Sequence, residues 1–326
     1  MGKVGSGSVT LEVEDREGIR LLRQALDSAH FDIAHIRPML RADSDSLTPR
    51  ADDIPIVVRL LPKGDRLASL IRLFVMGLSV SEADASAALA PVSVERALRL
   101  GVVRPSTAGV ESTVRIRPAG DLLMACDRAH EGSPDLPADH VMAVASSSMF
   151  LASLTVRRHV ERALDVGCGG GIQSVVAARH ADRVIACDIN PRALNFTAFN
   201  ALLNGVDNVE CRAGSFFAPV DGEKFDLIVS NPPFVISPDS ASSFRRNTDS
   251  IRFCVAVARA SRFRAPSCGS SRACASPRPS TPSPRTCYRT WTDGHLAKPS
   301  AKPRSNSPPV TSLTRNSNQP RWNWPS

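Results

Sequence analysis

Four consecutive residues, Asn231 to Phe234, have the side chains and backbone needed to hold a planar amino group. Pro232 and Pro233 restrict φ and lack backbone N–H groups, so this loop presents carbonyl acceptors on a stiff chain. The Asn231 side-chain oxygen and the Pro232 carbonyl can each accept one N–H from an amide or an exocyclic amino group. Phe234 can stack on the same planar group. The loop therefore predicts a site for an NH2-type nitrogen, where catalysis would rest on positioning.

A glycine-rich turn precedes this loop in the chain. Gly167, Gly169 and Gly171 lack the Cβ atoms that would prevent close backbone approach to a ligand, and the helix predicted from Ile172 offers free N–H groups. Ile172 occupies the position at which a dinucleotide-binding turn needs its third glycine. Asp188 ends the next predicted strand and can accept hydrogen bonds from ribose hydroxyls. The spacing favours a nucleoside cofactor with a charged amino-acid tail over NAD.

Together, the amino-group loop and the nucleoside pocket predict methyl transfer from S-adenosylmethionine to nitrogen. Such a reaction works by orienting the acceptor and by stabilising the positive charge that develops on the nitrogen. It requires neither a metal ion nor a covalent nucleophile. The eight cysteines show no metal-ligand spacing and are expected to be reduced thiols.

Three segments resemble the motifs of a known family: Asp165–Gly171, Asp188–Pro191 and Ser230–Phe234. They are similar to class I S-adenosylmethionine-dependent methyltransferases of the small-domain type, which methylate amino groups. That group includes release-factor glutamine methyltransferases and enzymes for guanine N2 of ribosomal RNA or adenine N6 of transfer RNA. The closest likeness is to actinobacterial members with a helical N-terminal domain, and it covers about residues 15–244.

The resemblance implies a role for each matching residue. Contacts to the methionine part of the cofactor are implied for Asp165, Gly167, Gly169 and Gly171, a ribose contact for Asp188, and a grip on the substrate nitrogen for Asn231, Pro232, Pro233 and Phe234. One position departs from the pattern, because Gly214-Ser215 stands where such enzymes often carry Gly-Asp for the adenine amino group. Ser215 can accept that hydrogen bond, but more weakly than a carboxylate.

Residues 1–126 are predicted to form a mainly helical N-terminal domain. Periodicity and capping residues predict helices over 15–40, Arg66–Met76, Ser81–Pro91 and Val94–Leu100, followed by strands near Gly109–Arg117 and Leu122–Cys126. Helices followed by a strand pair are typical of a winged-helix module. The domain could dock an RNA or protein substrate, with Arg96 and Arg99 as candidate phosphate contacts. Alternatively, it packs on its neighbour as a small helical domain.

Residues 127–140 are predicted to be a connector, and residues 141–244 a partial methyltransferase domain. Strands are predicted at Ala163–Val166, Arg183–Cys187, Val209–Arg212 and Phe225–Ser230, with helices at Ile172–Arg179 and Arg192–Asn204. This alternation predicts a Rossmann-like, doubly wound parallel sheet in an α/β fold. The sheet is expected to stop after its fourth strand, because no strand or helix pattern follows Phe244.

Residues 245–326 form an Arg/Ser/Pro-rich segment for which the sequence predicts low order. It contains 15 Lys and Arg against 2 Asp, so the formal net charge of +8 resides there and not in the predicted domains. The basic charge is therefore no indication of an RNA-binding surface on those domains. A second hypothesis is that this segment is translated out of frame after a frameshift, which sequencing of the coding DNA would test.

The predicted function is N-methylation of RNA or, second to it, of a protein glutamine, with activity in doubt if later strands are missing. Two alternatives stay open: a cofactor-binding remnant without activity, and a winged-helix nucleic-acid-binding protein. No apolar run is long enough for a membrane span and no signal peptide is recognised, so a cytoplasmic protein is expected.

Overall fold

The computed structural model describes residues 9–40, 47, 53–128 and 136–231, and the backbone of a strand at 258–264. The N-terminal region contains six helices in these ranges: α1 (Arg16–Ser28), α2 (Ile33–Leu40), α3 (Ile54–Leu60), α4 (Arg66–Leu70), α5 (Glu82–Leu89) and α6 (Val94–Arg99). None of the helices in the described ranges has the length and apolarity needed to span a bilayer.

The helix predicted over 15–40 is wrong as a single element, because the structure divides it into α1 and α2. His30 has a left-handed φ of 53°, and the Phe31 N–H donates to the Leu26 carbonyl at 3.0 Å, which ends α1. Asp32 then begins α2 by accepting from the His35 N–H at 2.9 Å. Apolar spacing continues across this break, so periodicity alone does not reveal it.

The later helices begin where their capping residues predict. Ser81 Oγ accepts from the Asp84 N–H at 3.1 Å and Ser93 Oγ accepts from the Arg96 N–H at 3.1 Å. The helix predicted over Arg66–Met76 differs in its second half, since α4 passes into a π-helix at Ile71–Val75.

The two arginines proposed as phosphate contacts are engaged with acidic side chains. The Arg96 Nε lies 2.8 Å from Asp15 Oδ2, and this contact lowers the pKa of Asp15 to about 2. Arg99 lies 2.9 Å from Glu95. Helix α6 therefore presents paired charges.

Four strands follow α6: β1 (Val103–Ser106), β2 (Gly109–Ser112), β3 (Val114–Ala119) and β4 (Leu122–Asp127). They form two antiparallel hairpins, β1–β2 and β3–β4. The sequence predicted only two strands here, and β1 was missed because it contains Pro105 and only one buried residue, Val103. Helices followed by a hairpin are present, and the winged-helix assignment stays a prediction.

The second half of the chain contains a five-stranded sheet in the order β7-β6-β5-β8-β9. Its parallel strands are β5 (Val160–Val166), β6 (Ala181–Asp188), β7 (Val209–Ala213) and β8 (Lys224–Ser230). The helices of this half are α7 (Ser146–Leu154), α8 (Ile172–Ala178) and α9 (Pro191–Leu203). The predicted parallel four-strand sheet and its two crossover helices are confirmed, with each end within three residues of its predicted position.

The two faces of this sheet are covered differently. Ala163 of β5 and Val184 of β6 pack with Leu151 of α7 and Ala177 of α8. Alternate residues such as Leu164 point to the other face, where Leu164, Val166, Ile185, Cys187, Phe225 and Ile228 cluster with Val220 of a 3-10 helix, Ala218–Val220. Within the described residues, α7, α8 and α9 lie on one face, so the doubly wound arrangement stays a prediction for the second face.

The expectation that no strand follows residue 244 is corrected by β9, Ala258–Arg264. This strand pairs antiparallel with β8, with Lys224 opposite Arg264 and Ile228 opposite Ala258. An edge strand is held mainly by main-chain hydrogen bonds, so it can form without a clear apolar alternation in its sequence. The low-order and frameshift hypotheses for the other residues of 245–326 fall outside the described residues.

Helix α9 joins the two halves of the described chain. Phe196 and Phe199 of α9 belong to the same buried core as Ile19, Leu22 and Leu26 of α1. A hydrogen bond also joins the two ends of the predicted connector, since the Val141 N–H donates to Asp127 Oδ2 at 2.7 Å. The N-terminal region therefore shares its core with the sheet domain.

Candidate functional site

The carboxyl ends of the four parallel strands bring the predicted site residues to one edge of the sheet. Val166 at the end of β5 pairs with Cys187 on β6 and with Ser230 on β8. Asp188 pairs with Ala213 at the end of β7. The turns that follow these strands therefore lie side by side, at the edge where open parallel sheets bind ligands.

The glycine turn after β5 packs against α9 at one position and is open at two others. Gly167, Gly169 and Gly171 have left-handed φ values of 71°, 54° and 82°. A Cβ at Gly171 would lie 2.8 Å from the Thr197 side chain, so this glycine permits close packing against α9. Apart from chain neighbours, no heavy atom of the described residues lies within 4 Å of a Cβ built at Gly167 or Gly169. These two positions leave open space beside the backbone, as a bound ligand requires.

Asp188 links the glycine turn to the start of α9. Its Oδ2 accepts from the Gly169 N–H at 2.9 Å, and its Oδ1 accepts from the Asn190 N–H at 2.9 Å. Asn190 in turn caps α9 by accepting from the Arg192 N–H at 2.9 Å. Each carboxylate oxygen keeps a lone pair beyond these bonds, so the half-buried Asp188 can hold both the turn and a hydroxyl ligand.

Asp165 has a more enclosed position than the resemblance suggests. Its side chain is 1% exposed and accepts from Ser174 Oγ on α8 at 2.6 Å. Burial raises the pKa of Asp165 to about 7, against the hydrogen bonds from Ser174, and the nearby Asp188 charge adds to the rise. The carboxyl group therefore anchors the first turns of α8, and its predicted contact with the cofactor stays a prediction.

Ser215 lies in the turn after β7, beside Asp188. The Gly214 N–H donates to the Asp188 carbonyl at 2.9 Å, which brings this turn next to the end of β6. Two apolar side chains that the sequence did not single out lie at the same strand ends. Ile189 is 58% exposed, and Phe216, at 41%, has a left-handed φ of 48°. Exposed apolar groups beside Ser215 are suited to a planar base.

Asn231 is the best-defined polar group on the substrate side. It follows β8, whose Ser230 Oγ donates to the Val166 carbonyl at 2.8 Å, directly before the glycine turn. The Asn231 Nδ2 donates to Ser148 Oγ on α7 at 2.8 Å. The Oδ1 of Asn231 is buried, and no residue in the described part of the chain forms a hydrogen bond with it. Pro232, Pro233 and Phe234 lie outside the described residues, so their predicted roles stay predictions.

The structure thus brings Gly167, Gly169, Asp188, Ser215 and Asn231 to one edge of the sheet. Asp165 lies beneath this edge, and Gly171 serves packing. Sequence reasoning missed the helix α7 and its Ser148. Serine disfavours helix interiors, and three serines open this helix, so the segment gave no helical signal.

Comparisons with known proteins agree with this geometry. Residues 142–246 match the model of the methyltransferase small domain. S-adenosylmethionine is the cofactor that this match supports. Residues 28–113 match a domain of unknown function, DUF7059.

Part of this chain is similar to ribosomal RNA small subunit methyltransferase C of Escherichia coli. The two are 41% identical over 91 residues, which is 27% of this chain and 25% of the relative. The chain therefore spans about a quarter of the length of the curated relatives it matches.

Two solved structures are similar to parts of the chain. The ribosomal protein L11 methylase of Lactobacillus delbrueckii subsp. bulgaricus is 33% identical, with a TM-score of 0.24, over 27% of this chain and 44% of that one. The tRNA m1G37 methyltransferase of M. jannaschii is 20% identical, with a TM-score of 0.31, over 40% of this chain and 41% of that one.

The residues present fit this cofactor. The open space over Gly167 and Gly169 accommodates a ligand against the backbone, and the free lone pairs of Asp188 suit ribose hydroxyls. Ile189 and Phe216 offer apolar surface at the neighbouring strand ends.

Proposed function

We propose that this protein transfers a methyl group from S-adenosylmethionine to an exocyclic amino or amide nitrogen, of an RNA base in preference to a protein glutamine. One observation carries the choice of nitrogen. The Asn231 Oδ1 is a buried acceptor with no partner among the described residues, at the end of the strand adjacent to the glycine turn. An unpaired buried acceptor costs about 1–3 kcal/mol, and a substrate N–H would remove that cost.

We assign cofactor binding and substrate binding to residues at the ends of different strands. The glycine turn, Asp188 and Ser215 hold the cofactor, which when bound supplies an electrophilic methyl group. Asn231 accepts one N–H of the substrate through Oδ1, which fixes the orientation of the NH2 group and leaves the nitrogen lone pair free. As the nitrogen becomes positively charged, the partial negative charge of Oδ1 stabilises it.

RNA is preferred as substrate because the curated relative with 41% identity acts on ribosomal RNA by its name. The paired state of Arg96 and Arg99 gives no support for phosphate binding by α6. We therefore place the substrate at the Asn231 edge and leave the N-terminal domain a docking role that does not depend on these two arginines.

Titration calorimetry of the full chain with S-adenosylmethionine tests the cofactor site. Transfer of labelled methyl groups to unmodified transcripts of ribosomal and transfer RNA, with a glutamine-containing peptide alongside, tests the substrate class. Mass spectrometry of the nucleosides then identifies the methylated atom. We expect cofactor binding and methylation of a base amino group.

The variant Asn231→Ala is expected to lower the transfer rate by about a hundredfold or more, the usual effect of removing one preorganised polar contact. Its affinity for S-adenosylmethionine should remain unchanged, because the cofactor contacts lie on other strands. Binding without transfer to any acceptor would instead favour a cofactor-binding remnant. Absence of cofactor binding by the folded wild type would contradict the proposal altogether.

A further inference from the structure

Ser148 on α7 receives hydrogen bonds from two side-chain amides, one directly after β8 and one on α8. The Asn231 Nδ2, at the end of β8, donates to its hydroxyl oxygen at 2.8 Å. The Gln173 Nε2, in the first turn of α8, donates to its backbone carbonyl at 2.7 Å. Ser148 therefore connects the helix that follows the glycine turn with the proposed substrate acceptor.

The orientation of the Gln173 amide follows from its partner. A backbone carbonyl only accepts hydrogen bonds, so the Gln173 Nε2 must face Ser148 and its Oε1 must point away. Gln173 is 4% exposed, and its Oε1 is buried with no hydrogen-bond partner within the ranges that the structure describes. The amide of Gln173 therefore holds the backbone of α7 at Ser148 through its nitrogen, while its oxygen forms no hydrogen bond with the described residues.

The orientation of the Asn231 amide has the larger chemical consequence. The last side-chain torsion of asparagine is broad and roughly two-fold, so a half-turn exchanges its oxygen and its nitrogen. With Nδ2 on Ser148 Oγ, the Oδ1 is presented as an acceptor. After a half-turn, an NH2 group would take its place and would face the N–H donors of an amino substrate. The Ser148 hydroxyl can accept from Nδ2 or donate to Oδ1, so it anchors the amide in both orientations, and a substrate N–H favours the one that presents Oδ1.

We infer that Ser148 is a positioning residue that anchors the Asn231 side-chain amide at the substrate edge of the sheet, and that Gln173 holds Ser148 in place for this purpose. The inference rests on the proposed function, since an acceptor at Oδ1 matters only for a substrate with an N–H group. It adds α7, which precedes the glycine turn in the chain, to the groups that prepare the substrate site. Ser148 acts through Asn231 and needs no contact with the substrate.

The experiment compares the full-length wild type with Ser148→Ala, Ser148→Thr and Ser146→Ala. Threonine keeps the hydroxyl group, and Ser146 is an exposed serine at the start of the same helix. Selective 15N-asparagine labelling reports hydrogen exchange of the Asn231 side-chain amide, which is assigned by its absence in Asn231→Ala. Steady-state methyl transfer to the RNA transcripts gives kcat and the KM for S-adenosylmethionine.

Ser148→Ala should speed exchange of the Asn231 amide protons by about tenfold or more and lower kcat by about tenfold to a hundredfold, with an unchanged cofactor KM. Ser148→Thr should restore both quantities, and Ser146→Ala should match the wild type. A loss of folding alone would move the cofactor KM as well and would not be rescued selectively by threonine.

The outcomes separate this inference from the proposed function. Unchanged amide exchange or unchanged kcat in Ser148→Ala would overturn the inference and leave the proposed function intact. If the wild type binds no S-adenosylmethionine, the proposed function is wrong and the positioning role falls with it. In that case, altered exchange in Ser148→Ala would show only a structural hydrogen bond.

Discussion

Side-chain amides occur in two regions of this molecule and are used differently in each. On α9 and at its C-terminal cap, three asparagines use both halves of the amide, each with the N–H and the C=O of one backbone residue. Their distances lie between 2.7 and 3.0 Å, in the pairs Asn195 with Leu11, Asn200 with Ala125, and Asn204 with Leu123. Each side chain forms the same pair of hydrogen bonds that a residue of a neighbouring strand would form. Together they attach the N-terminal region to α9.

At the carboxyl edge of the sheet, Asn231 and Gln173 use only the NH2 half of the amide. Both oxygens are buried, and neither has a hydrogen-bond partner in the described ranges of the chain. Fully paired amides stabilise a fold, whereas an unpaired buried acceptor lowers the free energy of unfolding. The difference indicates that the amides of α9 hold the N-terminal region in place. The sheet edge instead retains unpaired acceptors, with which a ligand could form hydrogen bonds.

The largest expected effect concerns Asp165, the buried carboxyl group beneath this edge. Its pKa of about 7 in the folded protein lies above the ordinary value of 3.8. Between about pH 4 and pH 7 the unfolded chain is ionised while the folded protein holds a proton, so the stability contribution of this group falls as pH rises and levels off above about 7. Asp165→Asn should remove this slope, so that the variant gains about 4 kcal/mol of unfolding free energy on wild type between pH 4 and pH 8.

Urea unfolding of both proteins at pH 5, 6, 7 and 8 checks this prediction. The difference in unfolding free energy should grow by about 1.4 kcal/mol per pH unit from pH 5 to pH 7 and level off toward pH 8. Since all other titrating groups are shared, a difference independent of pH would mean that Asp165 is ionised in the folded protein. S-adenosylmethionine titrations of the same pair would show whether the carboxyl group also contacts the cofactor.

The next largest effect tests the α9 side of the comparison. Asn200 is fully buried, and its Nδ2 also donates to the Gly170 carbonyl in the glycine turn at 2.9 Å. Asn200→Ala leaves the backbone groups of Ala125 unpaired and should lower the unfolding free energy by about 2–4 kcal/mol. Asn231→Ala, which removes an unpaired oxygen, should change it by less than about 1 kcal/mol.

Denaturant unfolding of these two variants measures the contrast directly. Equal losses of stability in both variants would contradict the distinction between the amides of α9, which attach the N-terminal region, and those at the sheet edge, which are available to a ligand. Asn200→Ala should also weaken cofactor binding, because the Gly170 carbonyl loses its donor.

The sequence was sufficient for features that short local patterns encode. Alternating apolar segments located the four parallel strands, and Ser81 and Ser93 located helix starts. The ends of neighbouring parallel strands must share an edge, so Asp188 and Asn231 could be placed together before the fold was known.

Other features depend on contacts between distant residues, which a single sequence does not display. The burial of Asp165 results from packing beneath the turn, and Ser148 and Asn231 are 83 positions apart. Strand β9 was missed because its seven residues include three arginines and only one residue, Phe263, of the β-branched and aromatic types that favour strands. The break between α1 and α2 at His30 was missed because the spacing of apolar residues does not change where the histidine adopts a left-handed φ.

A smaller effect is expected at Asn204, which is only partly buried. Its side chain pairs with Leu123 of β4, and Arg23 of α1 donates to its Oδ1 at 3.0 Å. Asn204→Ala should lower the unfolding free energy by about 1–2 kcal/mol, because water can reach part of the exposed backbone. Thermal or urea unfolding measures it, and a loss as large as that of Asn200→Ala would show that burial does not set the ranking along α9.

The smallest effect on stability is expected for Gln173→Met, a change of similar volume. It removes the hydrogen bond to the Ser148 carbonyl, which is unfavourable, and also the unpaired Oε1, which is favourable. Because these two changes offset each other, the unfolding free energy should stay within about 1 kcal/mol of wild type. Methyl transfer should nevertheless fall severalfold, since α7 loses the contact that holds Ser148. A loss of stability near that of Asn200→Ala would mean that Oε1 has a partner in solution, and Gln173 would then belong with the attaching amides of α9.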